Sequence, residues 1–172
     1  TSITNNSASS GGNVTSDGGA SISARGVAFG TSANPTTGTS ESGTTGTFTS
    51  SLSPLSPNTQ YFYRAYAANI QGTSYGSESS FYTLANVPGA PTVNNPTVSS
   101  LDVTVAANSN PSTTQFAIQE AVSGNYVQTD GTLGGTAAWQ TASAWGTKTV
   151  TGLPVNTSYS FQVKARNTSP GT

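Results

Sequence analysis

The chain contains no cysteine, no histidine and no methionine. Without Cys no disulfide frames the fold, so burial of apolar surface has to hold it. Without His or Cys there is no Ser-His dyad, no thiol nucleophile and no imidazole or thiolate ligand for a metal ion. Charge is scarce too. Only 6% of residues are charged, against about 25% in ordinary globular proteins. The five cations, Arg25, Arg64, Lys148, Lys164 and Arg166, are scattered over both halves, and the formal net charge is −1. Phosphate binding needs clustered Lys and Arg, so nucleic acid is not an expected partner. No stretch approaches the ~18 apolar residues of a membrane span, and no secretory leader is recognisable. The absence of Met suggests a piece of a longer precursor.

Hydroxyls and glycine supply the missing polarity: there are 27 Ser, 29 Thr and 19 Gly in 172 residues. Disorder goes with high net charge and few aromatics. Here net charge is near zero, and the Tyr, Phe and Trp residues sit in alternating runs. That combination predicts many short, Thr-rich strands joined by Gly, Asn and Pro turns.

One phrase occurs twice. LSPNTQYFYRAYAAN (55–69) and LPVNTSYSFQVKARN (153–167) align at an offset of 98, pairing Leu55 with Leu153, Asn58 with Asn156, Thr59 with Thr157 and Tyr61 with Tyr159. Tyr61, Tyr63, Ala65 and Ala67 share one face, as do Tyr159, Phe161, Val163 and Ala165. Period two over this length is a half-buried strand. A Tyr just after the turn can send its hydroxyl back to the preceding backbone while its ring enters the core, as in the tyrosine corner of Greek-key sandwiches. Both rings are expected to be buried, with their hydroxyls bonded to nearby backbone. The pattern Leu-x-Pro-x-Thr-x-Tyr followed by an alternating strand ending in Ala-x-Asn resembles fibronectin type III, and LSPNTQY matches it closely. LPVNTSY departs by having its proline one place early, at Pro154. GGNVTSDGGASISARGVAFGT (11–31) and YVQTDGTLGGTAAWQTASAWGTKTVTGL (126–153) each resemble bacterial versions of that module.

The resemblance implies an all-β chain of two tandem Greek-key sandwiches with essentially no helix. LANVPGAPTV (84–93) reads as a linker stiffened by Pro88 and Pro91, with modules at 1–85 and 86–172. Strands are expected over 7–15, 22–31, 47–52, 60–69, 77–84 and 158–167, with QGTSYG (71–76) as a turn. The first module is read as short of its opening strand and the second as lacking its final one. That leaves strand 158–167 with an edge that a neighbouring segment can fill, either in the same precursor or from a like subunit.

No chemistry stands out. Glycosidase action needs two facing carboxyls roughly 5–10 Å apart, and Asp17, Glu41, Glu78, Asp102, Glu120 and Asp130 are few and mostly near turns. Asp17 and Asp130 each precede Gly, so turn formation accounts for them; a weak Ca²⁺ site is the competing reading. Tyr126, Trp139 and Trp145 form a sugar-stacking platform or, as preferred here, cover the side of a small sandwich. Phe62, Arg64 and Tyr66 make a second face more apolar than free surface requires, so either a partner or an adjacent loop covers it. Sequons at Asn5, Asn13, Asn156 and Asn167 match chance, given 14 Asn and the Ser and Thr content. The expected role is non-catalytic, with no cofactor and no metal: a spacer, adhesin stalk or filament subunit outside the cell, whose partners are neighbouring sandwiches or like subunits. The alternative is an accessory module of a secreted polysaccharide-degrading enzyme, with glycans as partner.

Overall fold

The structure, a computed structural model, describes residues 2–167. The chain divides into two compact units, Thr1–Leu84 and Ala85–Thr172, and the regular structure of both is almost wholly antiparallel strand.

In the first unit the strands are β1 (Ala8–Val14), β2 (Ala24–Gly30), β3 (Gly46–Leu52), β4 (Gln60–Asn69), β5 (Gly72–Tyr75) and β6 (Ser79–Tyr82). One sheet pairs β1 with β3, from Ala8↔Leu52 to Val14↔Gly46. The other is centred on β4, with β2 along one edge; β6 lies against the first half of the opposite edge and β5 against the second. The expected turn at 71–76 is narrower than its composition suggests. Only Ile70 and Gln71 turn, the Asn69 side chain accepting from the Gln71 N–H, and the chain then pairs again as β5.

Alternation along β4 sends Tyr61 inward, to a core of Ala8, Val27, Leu52 and Leu55 rimmed by Phe29, Phe48, Tyr63 and Phe81. The rings pack against one another: Phe81 stacks on Tyr61 at 5.9 Å and meets the edge of Tyr63 at 5.7 Å. The two sheets approach closely where Gly12 faces Ala65. A Cβ on Gly12 would lie 2.7 Å from the Ala65 Cβ and 3.0 Å from a Phe48 ring carbon. Gly26, Val27 and Ala28 are all buried, which period two alone does not produce. Val27 points into the core, while the segment 37–41 folds against the other face and pairs with β2 through Ala28↔Gly38 and Arg25↔Glu41.

The second unit comprises β7 (Gly89–Asn94), β8 (Leu101–Ala106), β9 (Gln115–Glu120), β10 (Tyr126–Val127), β11 (Leu133–Gly134), β12 (Gln140–Thr141), the single helical turn α1 (Ala142–Trp145), β13 (Thr147–Val150) and β14 (Phe161–Arg166). One sheet runs β13-β8-β7; the other runs β11-β10-β9-β12, with β14 on β9. Leu101, Val103, Phe116, Ile118, Val127, Trp145, Val150, Leu153 and Phe161 fill the space between the sheets. The helical turn is capped by the Thr141 hydroxyl, which accepts from the Ala144 N–H. No helix among the described residues is long and apolar enough to cross a membrane.

The repeated phrase makes the same corner twice. Leu55 and Leu153 are buried, and their N–H groups donate to the carbonyls of Asn6 (2.8 Å) and Ser99 (3.0 Å). Asn58 and Asn156 both sit in the left-handed region, at φ 44° and 60°, a conformation Asn tolerates better than most residues. The Thr59 hydroxyl donates to the Pro57 carbonyl and the Thr157 hydroxyl to the Val155 carbonyl. The tyrosines then differ. The Tyr61 hydroxyl accepts from the Ser56 N–H at 3.0 Å. Pro154 stands at the equivalent place and has no N–H, so the Tyr159 hydroxyl instead donates to the Pro154 carbonyl at 3.3 Å. The Tyr61 ring is 8% exposed, whereas Tyr159 is only half-buried. Sequence equivalence therefore carries the corner but not the depth of the ring.

Two outcomes follow for stability, both measured by denaturant unfolding of the full chain. Tyr61→Phe leaves the Ser56 N–H without its acceptor and is expected to cost about 1 kcal/mol, the usual net worth of one hydrogen bond. Tyr159→Phe, at an exposed and longer bond, is expected to cost less than about 0.5 kcal/mol; equal costs would contradict the inequivalence of the two corners. Gly12→Val places a side chain in the closest part of the first sandwich and is expected to destabilise that unit by about 1–3 kcal/mol. An unchanged midpoint would show that Phe48 and Ala65 yield freely.

Candidate contact surfaces

Two side chains of the Phe62, Arg64 and Tyr66 face, Arg64 and Tyr66, are held by the unit's own chain. The Arg64 guanidinium lies 3.9 Å from the centre of the Tyr75 ring. Its nitrogens donate to the carbonyls of Pro35 at 2.9 Å and Asn34 at 3.2 Å. The Tyr66 hydroxyl donates to the Thr39 carbonyl at 2.8 Å. Glu78 accepts from the Asn34 N–H and ties the same segment down from the other side. The adjacent loop thus holds Arg64 and Tyr66, and all three side chains of the face keep part of their surface exposed. Tyr75 had no sequence signal of its own, because 71–76 reads as a turn.

The three aromatic residues of the second unit separate. Trp145 is corrected from a contact residue to a core residue: it is 2% exposed, and its indole N–H donates to the Phe116 carbonyl at 2.8 Å, the partner a buried indole needs. The helical turn α1 is what directs it inward. Tyr126 and Trp139 stay at the outer face of the β9 sheet, each with a cation. Lys164 Nζ lies 2.9 Å from the Tyr126 hydroxyl and 5.3 Å from its ring centre. The Arg166 guanidinium lies 4.6 Å from the Trp139 ring centre and donates to Gln115 Oε1 at 2.9 and 2.6 Å. Gln162 donates to Gln119 Oε1 at 2.8 Å on the same face. Arg166 occupies one face of Trp139 that a sugar ring would otherwise stack on.

The carboxylates are used as turn and strand clamps. Asp17 Oδ1 accepts from the Gly19 N–H, and Asp130 Oδ1 from the N–H and hydroxyl of Thr132. Those two bonds hold the Asp130 carboxyl below its ordinary value, with a smaller contribution from Lys148, whose ammonium donates to the Thr129 carbonyl. Asp102 takes the Thr149 hydroxyl at 2.6 Å and the Asn95 amide at 2.9 Å, which lower its pKa. Glu120 is buried. Burial opposes its charge, but the N–H and hydroxyl of Ser123 and the N–H of Val122 outweigh it and keep the carboxyl below 4.5. Among the described residues no three carboxylates come together as a metal site. Asp17 and Asp130 each act inside a turn of a different unit.

The depressed Glu120 pKa has a pH consequence. A carboxylate more acidic in the folded state than in the unfolded one stabilises fully above the unfolded value, and that contribution is lost as pH falls through the folded value. Wild-type stability of the second unit is therefore expected to fall below about pH 4.5 more steeply than that of Glu120→Gln. The variant itself should be about 1 kcal/mol less stable at neutral pH, because its amide cannot accept both N–H groups. Parallel pH profiles would remove Glu120 from this role.

No family model matches the chain, and none of the curated proteins does. Among solved structures it is similar to the chicken CNTN1 FN1-FN3 domains, at 17% identity and a TM-score of 0.34, with 96% of this chain and 58% of that one covered. The chain thus spans a little over half the length of that fragment.

Proposed function

We propose that the chain is a non-catalytic structural element, two fibronectin type III-like sandwiches of the kind found in bacterial surface proteins, serving as spacer, stalk or filament segment outside the cell. The observation that carries this reading is where the charges go. All five cationic side chains are engaged within their own unit, by carbonyls, amides or ring faces. Five of the six carboxylates are likewise engaged, by turn and strand donors. Groups committed to holding turns are not poised for proton transfer or for gripping a charged ligand. With the charges so engaged, 27 Ser and 29 Thr supply hydroxyls that hydrate the chain at a net charge of −1. Neighbouring sandwich segments, of the same protein or of like subunits, are the partners this reading requires, met through open sheet edges.

A spacer has to bear load, so the test is mechanical. Pulled from its two ends in single-molecule force spectroscopy, the chain is expected to give two separate unfolding events, each releasing roughly 250 Å of contour. Unfolding without resistance would overturn the load-bearing role. A glycan array supplies the opposing arm: glycan binding lost on Trp139→Ala would replace the spacer by the carbohydrate-binding reading.

A further inference from the structure

We infer that the outer edge of β3 is a pairing site for the β3 of a second copy of this chain, the two strands running antiparallel about a two-fold axis at Thr49. This deepens the reading of like subunits as partners, and rests on it for the biological use of the contact.

β3 spans seven residues, Gly46–Leu52, and its ladder with β1 runs from one end to the other without a bulge. Among the described residues it pairs with β1 alone. Its other backbone bond is at the strand end, where the Gly46 carbonyl accepts from the Arg25 guanidinium at 3.3 Å. The direction of the peptide groups follows from Gly11. A Cβ there would run into the Phe48 carbonyl oxygen, so Phe48 turns its peptide toward β1. Alternate residues of an antiparallel strand direct their N–H and C=O to opposite sides. Thr47, Thr49 and Ser51 therefore hold theirs out on the side away from β1. The segment 37–41 meets β3 through the Thr39 hydroxyl, which donates to Ser50 Oγ, and Ser50 is buried on the inner face.

Edges of natural sheets are blunted by charge, proline, a bulge, short length or a cover. Other edges of this chain follow that rule. β7 carries Pro91 and a break in register between Gly89 and Thr92. β13 has four residues and carries Lys148. β2 is covered by 37–41. β3, with the sequence GTFTSSL, has none of these devices. Its sequence also suits its own copy. With the two Thr49 residues opposite each other, Thr47 faces Ser51 of the partner subunit, and Ser51 faces Thr47 of the partner subunit. Each pair exchanges two backbone bonds, about six in all. The side chains that meet are exposed hydroxyls, a favourable cross-strand pairing, and no like charges come opposite one another. Both copies use the same patch, so the contact closes at two.

The full chain is followed by sedimentation over a range of concentrations and, labelled with ¹⁵N, by amide exchange. A dimer is expected with a dissociation constant below about 100 μM. The amides of Thr47, Thr49 and Ser51 are expected to exchange about tenfold more slowly where the dimer is populated than where it is dilute. Thr49→Lys sets like charges at the axis and is expected to weaken the dimer about fivefold or more, and Thr49→Glu to do the same. Mixed in equal amounts, the two variants are expected to regain it, because Lys then faces Glu. Thr92→Lys, on β7 of the other unit, is expected to leave it unchanged. Four results would overturn the inference. They are a monomer up to about 1 mM, protection centred on other amides, a mixture of the two Thr49 variants no tighter than either alone, or an equal loss with Thr92→Lys. The first two use the unaltered chain, so they decide even where Thr49 does not tolerate charge. Unfolding under load is a property of single chains, so pairing and the structural role fail separately.

Discussion

The corner that joins the two sheets of each sandwich is the constraint on which the rest depends. A buried leucine, a left-handed asparagine and a tyrosine hydroxyl together turn the chain from one sheet into the other. The leucine N–H is bonded to the turn that precedes the unit's β1 or β8. In that turn a threonine hydroxyl accepts from a serine N–H three residues on, Thr4 from Ser7 and Thr97 from Ser100. Two turns from distant parts of the chain are thus locked together at one end of the sandwich. With no disulfide to close the fold, this polar latch sets the strand register that lets the apolar faces meet.

With so few charges, each is placed where it replaces something the fold lacks. Arg25 lies over the Phe48 ring and donates to the carbonyls of Ser42 and Thr44, organising a loop that has little apolar content of its own. Arg64 does the same for the segment after β2. Guanidinium groups suit this work because their planar fork reaches several carbonyls while the flat face covers an aromatic ring. Glu120 performs the converse task, its two oxygens collecting the N–H groups of a tight turn.

Much of this was legible in the residues. Alternation from Tyr61 to Ala67 gave the strand and its inward face, and the 98-residue echo gave the second corner. The bulk of the apolar core could be read the same way. The turn latches were harder to see because their spacing, 93, differs from that of the corners, so no single offset aligns both. Nor did periodicity show that the segment after β2 folds back over Arg64 and Tyr66, since hydroxyl and glycine residues carry no alternation. The inward turn of Trp145 was hidden for a related reason: four residues are too few for a helical period to register. The cover over Tyr61 comes from Phe81, a residue far along the chain, and no local pattern contains it.

Both tryptophans belong to the second unit, one enclosed with its indole bonded to a peptide carbonyl and one half-covered by a guanidinium, while five of the seven tyrosines belong to the first. The two sandwiches are therefore optically distinct. Indole emission follows the second unit alone, and its colour separates the dry environment of Trp145 from the wetter one of Trp139. Tyrosine absorption is dominated by the first. The order in which the units lose structure can be followed in the unlabelled protein from its own chromophores.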